Sequence, residues 1–253
     1  HSYLYIRACL AEVTHVSRFK PHKRKPRLAL PPSIFIHYHS LMQLVDKWLG
    51  SDIAYADALQ IQETKLLEVL EGISPNTFYQ LEHAPVYTIG RTRDQSSLRS
   101  LELLPHPVVE INRGGQATYH GPGQLVGYPI VDLRPLGKDL HTYIRAIEQA
   151  LIDTCQSFGI NAQRRDGLTG VWVENRKLAA IGVGVRKWIG MHGFAINITK
   201  ESLTGFLSIT PCGLDGVKIT CVTHEAKRDI SVEEFSKATS QYMLAALSQL
   251  VVN

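Results

Sequence analysis

Four cysteines, eleven histidines and a scatter of lysines are the groups in this 253-residue chain that could act as nucleophile or base. Cys212 stands in ITPCGLDG, between Pro211 and Gly213, where a tight turn can display a thiol at a site. Cys155 falls on an apolar helical face and Cys221 in the alternating run KITCV, so both read as small core residues. A free thiol, with a pKa of about 8.5, needs a neighbouring cation or base to attack at neutral pH. Lys177 is one candidate, because it opens KLAAIGVG, a strand of little side-chain bulk against which a chain of carbons could lie. Partly desolvated there, it could serve as a base or as the positive neighbour of a thiolate; the plain alternative is a solvated side chain at a strand start. His120 in TYHGPG is the alternative base, and a Cys–His pair would suggest a thiol hydrolase or acyltransferase. His83 and His192 are weaker candidates, and Asp166 and Asp215 read as turn residues.

His120 sits in RGGQATYHGPGQLVGYP (113–129), with five glycines in seventeen residues between two apolar runs. So much glycine suggests a backbone bent close to a ligand, or else a long turn joining two strands. The cysteines show no CxxC spacing, and neither His37-x-His39 nor the N-terminal His has the companions of a zinc site, so no structural metal is expected.

Stepping outward, residues 52–72 have helical periodicity and a glycine stop, after the short apolar run SIFIHYHSL. TFYQLEHAPVYTIGR alternates as a strand, with Pro85 marking an edge or bulge. PVVEINR should lead into the glycine-rich loop and QLVGYPIVDL out of it. Residues 139–158 predict a second helix, with Asp139 as N-cap and Gly159 as its stop. Strands then follow at TGVWVEN, KLAAIGVGVRKW and HGFAINI, with a hairpin turn at Glu174-Asn175-Arg176. A short strand at KITCV and an amphipathic helix over 231–250 close the chain. The sum is an α/β domain of α+β type, with one mixed, mostly antiparallel central sheet flanked by helices.

The formal charge of +4 is unevenly spread: residues 1–32 carry +6 and the rest −2. Basicity therefore belongs to the extension, and nucleic acid is not an expected partner of the body. Such a segment fits a solvated tail, an upstream translation artefact or a transit segment, the last implying the mitochondrial matrix or a plastid. No apolar run approaches the roughly 18–20 residues that span a bilayer, and no signal-peptide pattern opens the chain, so no membrane contact and a cytoplasmic location are expected.

Three ordered motifs, RGGQATYHGPGQLVGYP, then GLTGVWVENRKLAAIGVGV with HGFAIN, then TPCG, together closely resemble the lipoyl(octanoyl)transferases, and PVYTIGR upstream fits them too. The likeness runs from about residue 50 to 250. It implies a catalytic domain over 33–253 after the extension 1–32, with the fold shared by biotin and lipoate protein ligases. It implies an enzyme of lipoate biosynthesis that moves an octanoyl group from the phosphopantetheine thioester of acyl carrier protein to a lysine of a lipoyl domain. Cys212 then looks like the acyl-thioester nucleophile and Lys177 like the residue that lowers its pKa. Arg113, Gly114, Gly115, Gln116, Ala117, Thr118, Tyr119 and His120 would line the acyl site, with Ala180, Ile181, Gly182, Gly193, Phe194 and Ala195. No cofactor is implied: no ATP and no metal. The implied partners are octanoyl-acyl carrier protein, the E2 subunits of 2-oxoacid dehydrogenases and the H-type protein of glycine cleavage, met by a monomer. A patch drawn from Arg91, Arg93, Arg164, Arg165 or Lys187 could steer such acidic partners. The chain departs from the family in its basic extension and in Cys221, where the family often has Ser. Two other readings stay open: an ATP-dependent lipoate or biotin protein ligase, which needs no nucleophilic cysteine, and a binding module without catalysis.

Overall fold

The computed structural model describes residues 44–91, 104–209 and 217–250. Cys212, Asp215, Arg93, the His37-x-His39 pair and the extension 1–32 lie outside the described residues. Eleven strands and four α-helices are described. The central sheet runs β1 (Leu44–Trp48), β2 (Asn76–Leu81), β6 (Gln124–Ile130), β10 (Ile189–Asn197), β9 (Arg176–Arg186), β8 (Leu168–Val173) and β7 (Gln163–Arg165). β11 (Lys218–Ile219) pairs with β9. The β1–β2 and β9–β11 pairs are parallel and the others antiparallel, as the sequence led one to expect of a mixed, mostly antiparallel sheet.

Both faces of this sheet are covered. Helices α2 (Leu140–Ser157) and α4 (Val232–Ser248) pack on each other and on one face, around Phe78, Leu125, Leu151, Ile196, Phe235 and Met243. Helix α1 (Tyr55–Leu70) covers β6 and β10 on the other, burying Ala58, Leu66 and Val69 against Val126 and Ile130. The alternation of Leu125 and Val126 between the two clusters is the period-2 rule of a strand. Helix α2 starts where Asp139 accepts hydrogen bonds from the N–H groups of His141 and Thr142, a cap worth about 1 kcal/mol. It stops at Gly159, whose φ of +76° suits a residue without a Cβ.

A second sheet, which the sequence did not reveal, runs β4 (Val108–Glu110), β3 (Val86–Ile89), β5 (Thr118–His120). Pro85 thus stands neither at an edge nor in a bulge of one strand; it lies where the chain leaves the central sheet after β2 and enters the small one at β3. Other expectations also need correcting. KLAAIGVGVRKW is a strand only as far as Arg186, because Lys187 (φ 51°) and Trp188 (φ 65°) form the left-handed turn between β9 and β10. KITCV is a strand only at Lys218–Ile219; Cys221 is buried but caps the short helix α3 (Val222–Ala226). β1 and the 3-10 segment Lys200–Ser208 have no signature in the sequence pattern.

Candidate active site

Between the small sheet, α1 and the central sheet lies a cavity of about 280 Å³, near the small end of the size range for ligand pockets. Its floor is built from small residues in register: Ala180 on β9 faces Ala195 on β10, and Gly182 faces Gly193. Glycine is required at Gly193 and closely fitted at Gly182. A Cβ on Gly193 would stand 2.2 Å from the Gly127 carbonyl oxygen, and one on Gly182 would stand 3.0 Å from both Arg113 Cδ and the Gly114 oxygen. The bare strand therefore lets the arginine-glycine loop rest on the sheet. Arg113 is buried and locks that loop to β3, donating from Nη2 to the Thr88 carbonyl at 3.0 Å and to Thr88 Oγ1 at 2.8 Å, and from Nη1 to the Gly114 carbonyl at 2.9 Å.

Lys177 reaches the cavity through an irregularity in pairing. Val171 pairs with Ala179, yet Trp172 pairs with Lys177, so one extra residue, Leu178, is inserted in β9. Such a bulge re-aims the flanking side chain. Lys177 is left 8% exposed among the cavity residues, its Nζ 5.4 Å from the centre of the Trp172 ring. Phe206, four residues before the undescribed stretch 210–216, and Ile219, three after it, share with Lys177 a smaller cavity of about 20 Å³. The Thr220 N–H donates to the Lys177 carbonyl at 3.0 Å.

The opposite end of the pocket is polar, and the charge of Arg113 acts on it. Tyr55, Tyr128, His120 and His192 line it, with His83 behind. His83 has Nδ1 2.9 Å from the Ile53 carbonyl, which fixes Nδ1 as the protonated nitrogen and leaves Nε2 to accept from the Tyr128 hydroxyl at 2.7 Å. Tyr128 in turn is hydrogen-bonded to Tyr55. His120 Nδ1 stands 2.8 Å from Gln124 Oε1, while Gln124 Nε2 donates to the Tyr119 carbonyl and to Asn197 Oδ1, so the imidazole is the donor. Burial holds His83 and His192 down to about 4 and His120 well below the usual histidine value, and it pushes Tyr55 up to about 12. Burial is the largest cause in each case, because an imidazolium or phenolate loses hydration there. His120, expected as a possible base, is therefore neutral, with Nδ1 held by Gln124 and Nε2 3.5 Å from Thr88 Oγ1.

The structure gathers Lys177, Arg113 to Thr118, His120, Ala180 to Gly182 and Gly193 to Ala195 around this one cavity. Tyr119 departs from the expected lining: alternation on β5 turns it away, against Tyr87 and Phe206. Sequence reasoning missed Tyr55, Val126, Thr169 and Trp172 as lining residues, and ranked His192 too low. Tyr128 was missed as well, although it and Val126 lie inside the quoted glycine-rich motif. Of the residues suggested for steering acidic partners, two have contacts within the fold. Arg164 is bound to Glu148, and the Arg165 guanidinium lies 4.8 Å over Trp172.

Residues 54–244 match the family described as the lipoyl protein ligase A/B catalytic domain. The octanoyltransferase of Geobacter sulfurreducens is 48% identical over 199 residues, which is 79% of this chain and 82% of that protein. That of Citrifermentans bemidjiense is 46% identical over 185 residues, 73% and 88% respectively. The chain belongs to the lipoyl protein ligase A/B family, among its octanoyltransferases. Among solved structures, lipoate-protein ligase A bound with ATP superposes with a TM-score of 0.65 at 13% identity, covering 81% of this chain and 85% of that one. The bi-partite lipoate protein ligase of Thermoplasma acidophilum gives 0.63 at 14%, with the same coverage. At such identity these neighbours establish the fold, which is the lipoate protein ligase fold expected from the motifs. Among the described residues no helix is long and apolar enough to cross a membrane, and no group of three or more His, Cys, Asp or Glu is placed to hold a metal ion.

Proposed function

We propose that this cavity holds the acyl chain of an octanoyl-acyl carrier protein thioester, and that the protein passes the octanoyl group through Cys212 to a lysine of a lipoyl domain. One observation carries the reading: a trough of glycine and alanine runs from Lys177 toward Tyr55 and Tyr128, and the chain on both sides of 210–216 adjoins Lys177. The hydrocarbon lies over Ala180, Gly182, Gly193 and Ala195, with its carbonyl at the Lys177 end. Cys212 Sγ attacks that carbonyl, the carbon–sulfur bond to phosphopantetheine breaks, and the proton of the Cys212 thiol is passed by Lys177 to the departing carrier thiol. The positive charge of Lys177 also stabilises the thiolate before attack. In the second half the deprotonated acceptor amine attacks the acyl-enzyme, the amide forms, and the amine proton returns to Cys212. Exchange of one thioester for another is nearly isoenergetic and conversion to an amide runs downhill, so the cycle uses neither ATP nor a metal. The histidines and tyrosines at the far end are uncharged, and the neighbouring Arg113 guanidinium is tied to Thr88 and to the Gly114 carbonyl, which leaves room for an acyl tail.

The donor is acyl carrier protein. The acceptors are lipoyl-domain proteins such as 2-oxoacid dehydrogenase E2 subunits and a glycine-cleavage H-type protein, and the enzyme acts as a cytoplasmic monomer. The deciding experiment is intact-protein mass spectrometry after mixing with octanoyl-acyl carrier protein, with ATP and acceptor omitted. One hydroxylamine-labile octanoyl group mapping to Cys212 is the expected result. No adduct, together with acceptor modification by free octanoate and ATP, would establish the ligase reading in its place.

A further inference from the structure

Helix α2 carries one side chain that its packing does not explain. Glu148 is fully buried, in a helix whose other buried positions are Tyr143, Ala146, Ile147, Ala150, Leu151, Thr154 and Cys155. Taking a carboxylate out of water costs several kcal/mol unless it is well paired. Here Oε2 is paired twice, with Arg145 Nη1 at 2.6 Å and Arg164 Nε at 3.0 Å, and Arg164 Nη2 donates to the Arg145 carbonyl as a further tie. The remaining oxygen, Oε1, points at β8 and accepts the Gly170 N–H at 3.0 Å.

Gly170 has φ of +132°, a conformation that side chains rarely adopt, and it lies against Lys177. A Cβ at this position would come within 2.9 Å of Lys177 Cε and 2.6 Å of the Ala179 carbonyl oxygen. The lysine stem thus lies directly over the glycine, at the place where the bulge of β9 directs it into the cavity. Releasing the Gly170 N–H would leave a buried donor unpaired and free this short stretch of β8 to relax toward Lys177.

We infer that Glu148 is a positioning residue for Lys177, acting through the main chain of Gly170. The two arginines hold the carboxylate, the carboxylate holds the glycine in its left-handed conformation, and the glycine forms the wall that keeps the ammonium at the mouth of the acyl trough. Its effect on the rate rests on the role proposed for Lys177, whereas its effect on the geometry does not.

The test uses the whole chain and two readouts: the rate at which Lys177 is acetylated by trace acetic anhydride at pH 8, followed by peptide mass spectrometry, and the rate of octanoyl transfer from the carrier protein. Glu148→Gln and Gly170→Ala are compared with Leu151→Ala, a core substitution in the same helix that destabilises without touching this chain of contacts. The expected result is a change of at least threefold in Lys177 labelling for Glu148→Gln and Gly170→Ala, with kcat lowered tenfold or more and KM within twofold. In Leu151→Ala both readouts per folded molecule stay at the wild-type level. Should Glu148→Gln not fold, Arg164→Met, which withdraws one of the two groups holding the carboxylate, is expected to move Lys177 labelling in the same direction by a smaller factor. Wild-type labelling in folded Glu148→Gln and Gly170→Ala, or wild-type labelling in Arg164→Met where it stands in, overturns the inference and leaves Glu148 a structural ion pair. Altered labelling with unaltered transfer keeps the positioning role and removes Lys177 from the chemistry, so the two claims fail separately.

Discussion

The two faces of the central sheet bury different chemistry. Toward α2 and α4 the buried surface is almost all hydrocarbon, from Phe78 and Leu125 to Phe235 and Met243, with the paired carboxylate of Glu148 buried among it. Toward α1 and the small sheet, Arg113, Lys177, His83, His120, His192, Gln124 and Asn197 are buried among apolar neighbours. Each polar group withdrawn from water costs about 1–3 kcal/mol if left unpaired, so a chain shaped only by folding would not crowd so many into one place. One face supplies stability; the other draws on it to preorganise a site.

That division is exposed to test, and the largest effects should come from the polar face. Lys177→Ala is expected to slow octanoyl transfer by about a thousandfold, equivalent to ~4 kcal/mol of barrier, and Cys212→Ala to abolish it. Steady-state assay with octanoyl-acyl carrier protein reads both; a wild-type rate in Lys177→Ala would take the chemistry away from this face, and one in Cys212→Ala would take it away from the thiol. On the hydrocarbon face, Leu151→Ala should cost about 3 kcal/mol in urea unfolding while transfer per folded molecule holds. If activity fell in step with stability, the two faces could not be separated.

A subtler contrast lies in pH. His83 and His192 bind protons readily only when unfolded, because burial takes them from 6.5 to about 4 in the folded chain. Their contribution is therefore intact above about pH 6.5 and is lost as pH falls toward 4, costing about 2 kcal/mol each at pH 5. Urea midpoints at pH 7.5 and 5 should converge in His83→Gln relative to wild type, and an unchanged gap would contradict the neutral cluster. Least affected should be Cys155→Ala on the hydrocarbon face. Its thiol is pushed up to about 12 by burial, and near-wild-type transfer with a loss of about 1 kcal/mol or less is expected from the same assays.

Helices α1, α2 and α4 were legible because periodicity, the Asp139 cap and glycine stops all act over neighbouring residues. The arginine-glycine loop was legible from composition, and so was the bare strand after Lys177. What stayed hidden depends on contacts distant in sequence. Thr118–His120 is a strand only because Val86–Thr88 lies beside it. Lys187 and Trp188 make a left-handed turn where Asn and Gly would have announced one. Tyr55 is the first residue of α1 and becomes part of the site only through Tyr128 and Arg113, 73 and 58 positions away. The extra residue at Leu178, which sends Lys177 inward, is a property of pairing and has no signature of its own.

The strand order has a further meaning for a chain made from one end. β10 sits at the middle of the central sheet, between β6, finished by Ile130, and β9, which begins at Arg176. The strands β1, β2 and β6 can pair as they are synthesised, and β7, β8 and β9 can do the same later, but the two halves have no joint until residues 189–197 are made. Loop closure over such separations is slow, and an open strand edge invites pairing with other chains in the meantime. The acyl trough, floored by the seam of β9 and β10, thus comes into being only when the two halves of the sheet are zipped together, late in the life of the growing polypeptide.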